Sequence, residues 1–396
     1  MKAKDYRLTS IACKIGAICQ GICCNFAPLL FVYFNESFGI SFYLLSLLSF
    51  ITFFVQLLID YFSVFFVDRI GYKITGIISE ALIIIGLALF SFLPSIMEPF
   101  IGILIPLSLF SIGAGLMEVV ASPIMESISK HNAANLVFLH SFYSISAAIT
   151  IIITSVFFIL FNIDYWWVLS IIFALIALVG IIFFLFAPIP KTIKANEEQE
   201  DNILTIKPFY KNSTFYLILI LMIFSGSTEI AIAQWASSYA EVGLNVVKPF
   251  GDLYGAAIFA IMMAISRILC ATILKKLKVE INLLLGSIFC LVGYLLASLV
   301  NIPIINFIGT MLVGFGVGPL WPGTLSLAAK KINNVEQKMY SYTALAGDIG
   351  CCLGTYIIGA LISPLGFKYA ILLGAVSPIL FIVFLIIVCK KKTSNE

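Results

Sequence analysis

Twelve apolar runs, each long enough to cross a bilayer as a helix, follow one another along this chain with little polar sequence between them. A membrane's hydrocarbon core is about 30 Å thick and takes about 20 helical residues to cross, because within it each segment must satisfy its own backbone N–H and C=O groups. The runs fall near 10–34, 42–67, 74–93, 98–128, 135–161, 164–187, 214–241, 251–274, 279–300, 303–328, 337–363 and 367–389. A hydrophobic share of 61% and a mean hydropathy of +1.11 exclude a soluble domain. The short alternating strands of a membrane barrel are not legible. The first run is too long for a cleavable signal and lacks a small-residue cleavage site. The expected class is an all-α integral membrane protein.

Basic residues orient it, because Lys and Arg accumulate in cytoplasmic loops. With a cytoplasmic amino terminus, 19 of the 23 basic residues fall on the inner side. Lys248 and Lys368 lie in outer loops, and Lys14 and Arg267 within spans. Both termini are then cytoplasmic, and the net charge of +3 reflects topology, with no nucleic-acid partner expected. Most of the 9 cysteines lie within apolar runs and read as small hydrophobes, not as disulfides or metal ligands.

The polar stretch 188–213, with its acidic run Glu197-Glu198-Gln199-Glu200-Asp201, divides the spans six and six. It reads as a solvated cytoplasmic linker between an amino-terminal bundle, 1–187, and a carboxy-terminal bundle, 214–396. Equal halves of this kind mark a duplicated transporter with two bundles related about an axis along the membrane normal.

Between the second and third runs stands Asp68-Arg69-Ile70-Gly71-Tyr72-Lys73. Glycine permits a tight reversal there, and Asp68 can accept hydrogen bonds from a neighbouring helix amino terminus. This Asp-Arg-x-Gly-x-Lys loop resembles the signature of the major facilitator superfamily, with Val64 where the family usually has Gly. The resemblance implies twelve helices in two six-helix bundles, and a gating role for Asp68, Arg69, Gly71 and Lys73 on the cytoplasmic side.

The fourth run contains Gly113-Ala114-Gly115-Leu116-Met117-Glu118-Val119-Val120-Ala121-Ser122-Pro123. It is similar to a Gly-x-Gly-x-x-Glu-x-x-x-Asn-Pro segment of the fucose permease branch, whose members are sugar–proton symporters, with Ser122 replacing Asn. Leu139-His140-Ser141-Phe142 resembles a stretch in which that branch has a substrate-contacting Gln at the place of His140. Trp321-Pro322-Gly323-Thr324-Leu325-Ser326-Leu327 resembles a third. The branch's first-span Asp is absent, with Cys24, Asn25 and Pro28 in that region, and its seventh-span Trp falls on Ala233, two residues from Trp235. The resemblance implies a substrate site drawn from Asn25, Glu118, Ser122, His140, Glu229, Gln234, Trp235, Tyr239, Trp321 and Thr324.

The residues argue alongside it. A charge at mid-bilayer costs roughly 2.5–3.5 kcal/mol on insertion scales, so Glu118 and Glu229 are candidate coupling groups for protons. Removal from water favours a carboxyl's neutral form, so a site that opens and closes to water can take up and release protons. Trp235 and Tyr239 read equally well as cavity walls or as anchors at the outer interface. Gly314 to Pro322 describes a helix that cannot stay straight, as substrate-site helices of transporters often cannot. Asp60, Arg267 and Asp348 lie deep in their spans and form a further group for coupling or gating, with His140 or Glu126 as partners for Arg267. Glu80, Lys14 and His131 read as solvated or snorkelling groups near span ends.

The combined expectation is a secondary active transporter, a symporter of a sugar or other polar solute with protons, in a bacterial cytoplasmic membrane. Efflux of amphipathic compounds by proton antiport is the alternative. No phosphate-binding loop, catalytic constellation or cofactor motif is legible, so neither an enzyme nor a cofactor is expected. The expected partners are a small solute, protons and the lipid bilayer, and the expected state is a monomer.

Overall fold

The computed structural model describes residues 6–128, 133–190, 212–272, 277–300, 302–332 and 337–391. Most of the linker, and with it the acidic run, lies outside the described residues, as do Lys130 and His131. The side chains of Val64, Asp68, Glu126 and His140 also lie outside what is described, although their backbones are helical.

Among the described residues the secondary structure is helical throughout. The first span, α1, runs over Arg7–Phe38 and is interrupted by a 3-10 turn at Ala27–Leu30, where Pro28 has no N–H to give the helix ladder. The next five are α2 (Phe42–Ile70), α3 (Tyr72–Phe90), α4 (Pro99–Ile128), α5 (Ala133–Leu160) and α6 (Trp166–Phe186). Then come α7 (Ser213–Ala233), extended by a short turn and the wide π turn Tyr239–Gly243, and α8 (Ile258–Thr272), entered through a second wide turn at Asp252–Ala257. After α9 (Val279–Leu299), α10 occupies Pro303–Lys331 and breaks at Gly318-Pro319, as its glycines and prolines predict.

The last two spans follow each other directly, with a sharp reversal at Gly366 between them. Gly366 holds φ 77° and ψ 162°, a conformation that excludes helix and strains any residue with a Cβ. The apolar segment Tyr342–Lys390 counts 49 residues, about 74 Å as straight helix and more than twice the thickness of a bilayer core. The chain therefore turns at Gly366, giving α11 over 337–365 and α12 over 367–390. Twelve spans result, near the boundaries that hydropathy predicts. Gly71 (φ 86°) makes the corresponding sharp turn between α2 and α3.

The outward faces are apolar. Ile153, Leu175, Ile288 and Ile386 are 43%, 55%, 42% and 45% exposed, as suits side chains solvated by lipid. Small residues hold the interior, where van der Waals fit replaces hydrophobic drive.

The chain forms two compact units, one of Met1–Ile40 and Ile51–Glu197, the other of Ser41–Phe50 and Glu198–Glu396. Their internal packing repeats. In the first, α1 packs on α4, α5 and α6, and α3 on α4 and α6; in the second, α7 packs on α10, α11 and α12, and α9 on α10 and α12. Adding six to each helix number converts one set into the other. Close backbone approach recurs with it. A Cβ on Gly86 of α3 would stand 2.7 Å from the Phe110 nitrogen of α4, and one on Gly293 of α9 would stand 2.6 Å from the Gly309 oxygen of α10.

Candidate functional site

In the first unit the polar centre is built on α1 and α4. Glu118 sits ten residues from the carboxy-terminal end of α4, and its Oε2 accepts a 2.6 Å hydrogen bond from Gln20 Nε2 of α1. One turn further along α1, Cys24 Sγ accepts from Gln56 Nε2 of α2 at 3.4 Å. Asn25 donates back to the Gly21 carbonyl at 2.8 Å and completes the helix end just before the Pro28 turn. Ser122, one turn from Glu118, is half-buried. The partner of Glu118 is thus a neutral amide, which tolerates the acid with or without its proton. Gln20 was not among the sequence candidates; a lone amide in an apolar run was the available signal.

The second unit is organised differently. Glu229 of α7 faces Arg267 of α8, whose Nη2 lies 3.2 Å from Oε2 and 3.4 Å from Oε1. Arg267, read from sequence with Asp60 and Asp348, is a counter-ion of Glu229; the side chains of His140 and Glu126, its expected partners, lie outside what is described. The pairing has a simple cause. An uncompensated carboxylate and an uncompensated guanidinium in the same bundle each cost more than the pair.

Beyond Glu229, α7 sends its aromatic residues into the unit. Trp235 is 0% exposed and donates Nε1–H to the Thr355 carbonyl of α11 at 3.0 Å. Tyr239 is 3% exposed, donates its hydroxyl to the Ala297 carbonyl of α9, and accepts from Asn306 Nδ2 of α10 at 3.3 Å. Neither is an anchor at the membrane surface. Gln234 is buried beside them. Beyond the end of α7, Lys248 Nζ lies 3.4 Å from each of Ser237 Oγ, Glu241 Oε2 and Asp252 Oδ1, and Ser237 also donates to Asp252. This cluster joins the two wide turns. Sequence reasoning left Lys248 in a loop and passed over Asp252, because both stand where a hydropathy window ends.

In α10, Trp321 packs its ring on Gly347 of α11, where a Cβ would collide with it. Thr324 is fully buried and returns its hydroxyl to the Leu320 carbonyl at 2.6 Å.

A sequence profile described as Major Facilitator Superfamily matches residues 15–355. The chain belongs to this superfamily. Its fold agrees with solved members at low identity. A point mutant of the nucleoside transporter NupG superposes with a TM-score of 0.79 at 11% identity, covering 96% of this chain and 100% of its own. A D-xylose–proton symporter gives 0.77 at 12% identity, covering 99% and 100%. The E. coli fucose:proton symporter FucP gives 0.65 at 16%, covering 98% and 100%. A search of curated proteins returns no match.

For a facilitator-superfamily chain the signature loop is partly visible. Gly71 takes the positive φ that its turn requires, Arg69 is exposed at the end of α2, and Lys73 Nζ donates to the Leu185 carbonyl of α6 at 2.7 Å. Asp60 is half-buried in the first unit and Asp348 half-buried in the second. Glu80 departs from expectation. It is 0% exposed inside the first unit, neither solvated nor snorkelling. Lys14, also placed near a span end, has its ammonium 5.6 Å from the centre of the Phe142 ring. Among the described residues no group of three or more His, Cys, Asp or Glu side chains could hold a metal ion.

Proposed function

We propose that this membrane protein is a secondary active transporter that couples proton movement to symport of a sugar or another small polar solute. In this reading it lies in a bacterial cytoplasmic membrane with both termini inside, and works as a monomer. The observation that carries the coupling is the Glu118–Gln20 contact, an intramembrane acid whose hydrogen-bond donor is an uncharged amide. Such an acid alternates between charged and neutral forms as water gains and loses access to it. Glu229, by contrast, is ion-paired to Arg267. The primary coupling role therefore goes to Glu118, and Glu229 with Arg267 serves binding or gating.

The solute class draws support from the superposed proteins, described as carriers of xylose, fucose and nucleosides. These share a hydroxylated ring, which amide, carboxylate and hydroxyl groups can hold by hydrogen bonds. The test uses proteoliposomes loaded with a pH-sensitive dye and a panel of sugars and nucleosides. A transported solute should carry protons inward with it. Accumulation of a solute with no proton movement would contradict the coupling.

A further inference from the structure

Glu80 is a buried acid that the transport reading does not use. It stands in α3 where α1, α3 and α6 meet, is 0% exposed, and neither Oε1 nor Oε2 has a full hydrogen-bond partner among the described residues. From α1 it is faced by the thiols of Cys19 and Cys23, which are weak donors one helical turn apart. From α6 it is faced by Gly180, whose missing side chain leaves the space the carboxyl fills; a Cβ there would overlap Oε1. Four residues before Glu80, Gly76 receives the ring of fully buried Phe184, which closes the pocket toward the amino-terminal end of α3. Lys73, seven residues earlier on α3 and about 10 Å along the axis, gives its ammonium to the Leu185 carbonyl.

An anion in this pocket would lose its hydration and gain only weak thiol donors in return, whereas the neutral acid loses far less. Fit and polarity agree. We propose that Glu80 is a proton-binding site built into the first unit, separate from Glu118, occupied at neutral pH and exchanging its proton when α1 moves off α3 and α6. The two acids adjoin neighbouring stripes of α1. Cys19 and Cys23 face Glu80, while Gln20 reaches Glu118 and Cys24 reaches Gln56. A tilt of α1 therefore alters both environments at once.

The test compares the full-length wild type with Glu80→Gln, since an amide reproduces the size and polarity of the neutral acid. E80Q should insert and fold. An unfolded Glu ionises near about 4.3, so above that pH unfolding releases a proton that the folded protein retains, and stability falls as pH rises until the folded form releases its own. Relative to E80Q, the wild type should therefore lose thermal stability steadily from the acid range through neutrality. Infrared spectra at neutral pH should show a protonated-carboxyl band that E80Q lacks. A stability difference independent of pH, spectra without a band difference, or an E80Q that does not fold would each overturn the proposal.

Discussion

Arg267 of α8 and Glu229 of α7 form an ion pair inside the second unit, with Nη2 3.2 Å from Oε2 and side chains only 17% and 11% exposed. Pairs this enclosed are costly to break from one side, because the remaining charge keeps its desolvation and loses its compensation. Arg267→Met should lower stability by about 3 kcal/mol, and adding Glu229→Gln should recover part of the loss. Detergent-solubilised variants compared in a double-mutant cycle would measure this. Equal and additive losses would mean that the pair carries no mutual energy.

The Lys248 cluster makes an asymmetric prediction. One ammonium serves both Glu241 and Asp252, and the Asp252 side chain is 1% exposed. Lys248→Met deprives a buried carboxylate of its cation and should cost roughly 3–5 kcal/mol. Asp252→Asn leaves Lys248 paired with Glu241 and should cost distinctly less. Thermal unfolding of the two variants side by side distinguishes them.

At Gly366 the cost is conformational, not steric. An added Cβ would meet nothing within 4 Å, yet φ 77° with ψ 162° is open essentially to glycine alone. Gly366→Ala should therefore destabilise by about 1–3 kcal/mol despite the free space. Gly39 is a useful control. It also has room, and its φ 67° and ψ 18° lie in the left-handed region that Asn tolerates, so Gly39→Asn should be much milder. Melting temperatures of the two variants are the measurement.

Trp235 tests packing against solute contact. Its indole is enclosed, bonded to the Thr355 carbonyl, and pressed on Gly359, where a Cβ would collide with the ring. Trp235→Phe should cost about 2 kcal/mol through the lost hydrogen bond and the void left behind. Its effect on stability should exceed any effect on apparent solute affinity. A variant of normal stability with weakened solute binding would return Trp235 to the list of contacts.

What could be read in advance follows from how local each signal is. Span number, the break at Gly318-Pro319 and the turn at Gly71 are properties of short stretches, and hydropathy with Gly and Pro chemistry exposes them. Partner choice is not local. Gln20 meets Glu118 across 98 residues, and Arg267 meets Glu229 across 38, so each was visible as an intramembrane polar residue but not as half of a pair. Glu80 misled for a related reason. Its distance from the signature loop suggested a span end, and only the empty place at Gly180 of α6 shows that it is enclosed. Glu118 itself was the most legible part of the site, because a carboxylate in oil needs an explanation wherever its partner lies.

The decisive experiment replaces Glu118 with Gln and follows labelled solute in proteoliposomes under two conditions, downhill exchange and uphill accumulation against an imposed proton gradient. If Glu118 is the acid that links proton and solute, Glu118→Gln exchanges solute across the membrane but no longer concentrates it. A variant that still accumulates solute to the wild-type level when the gradient is applied would show that coupling resides elsewhere.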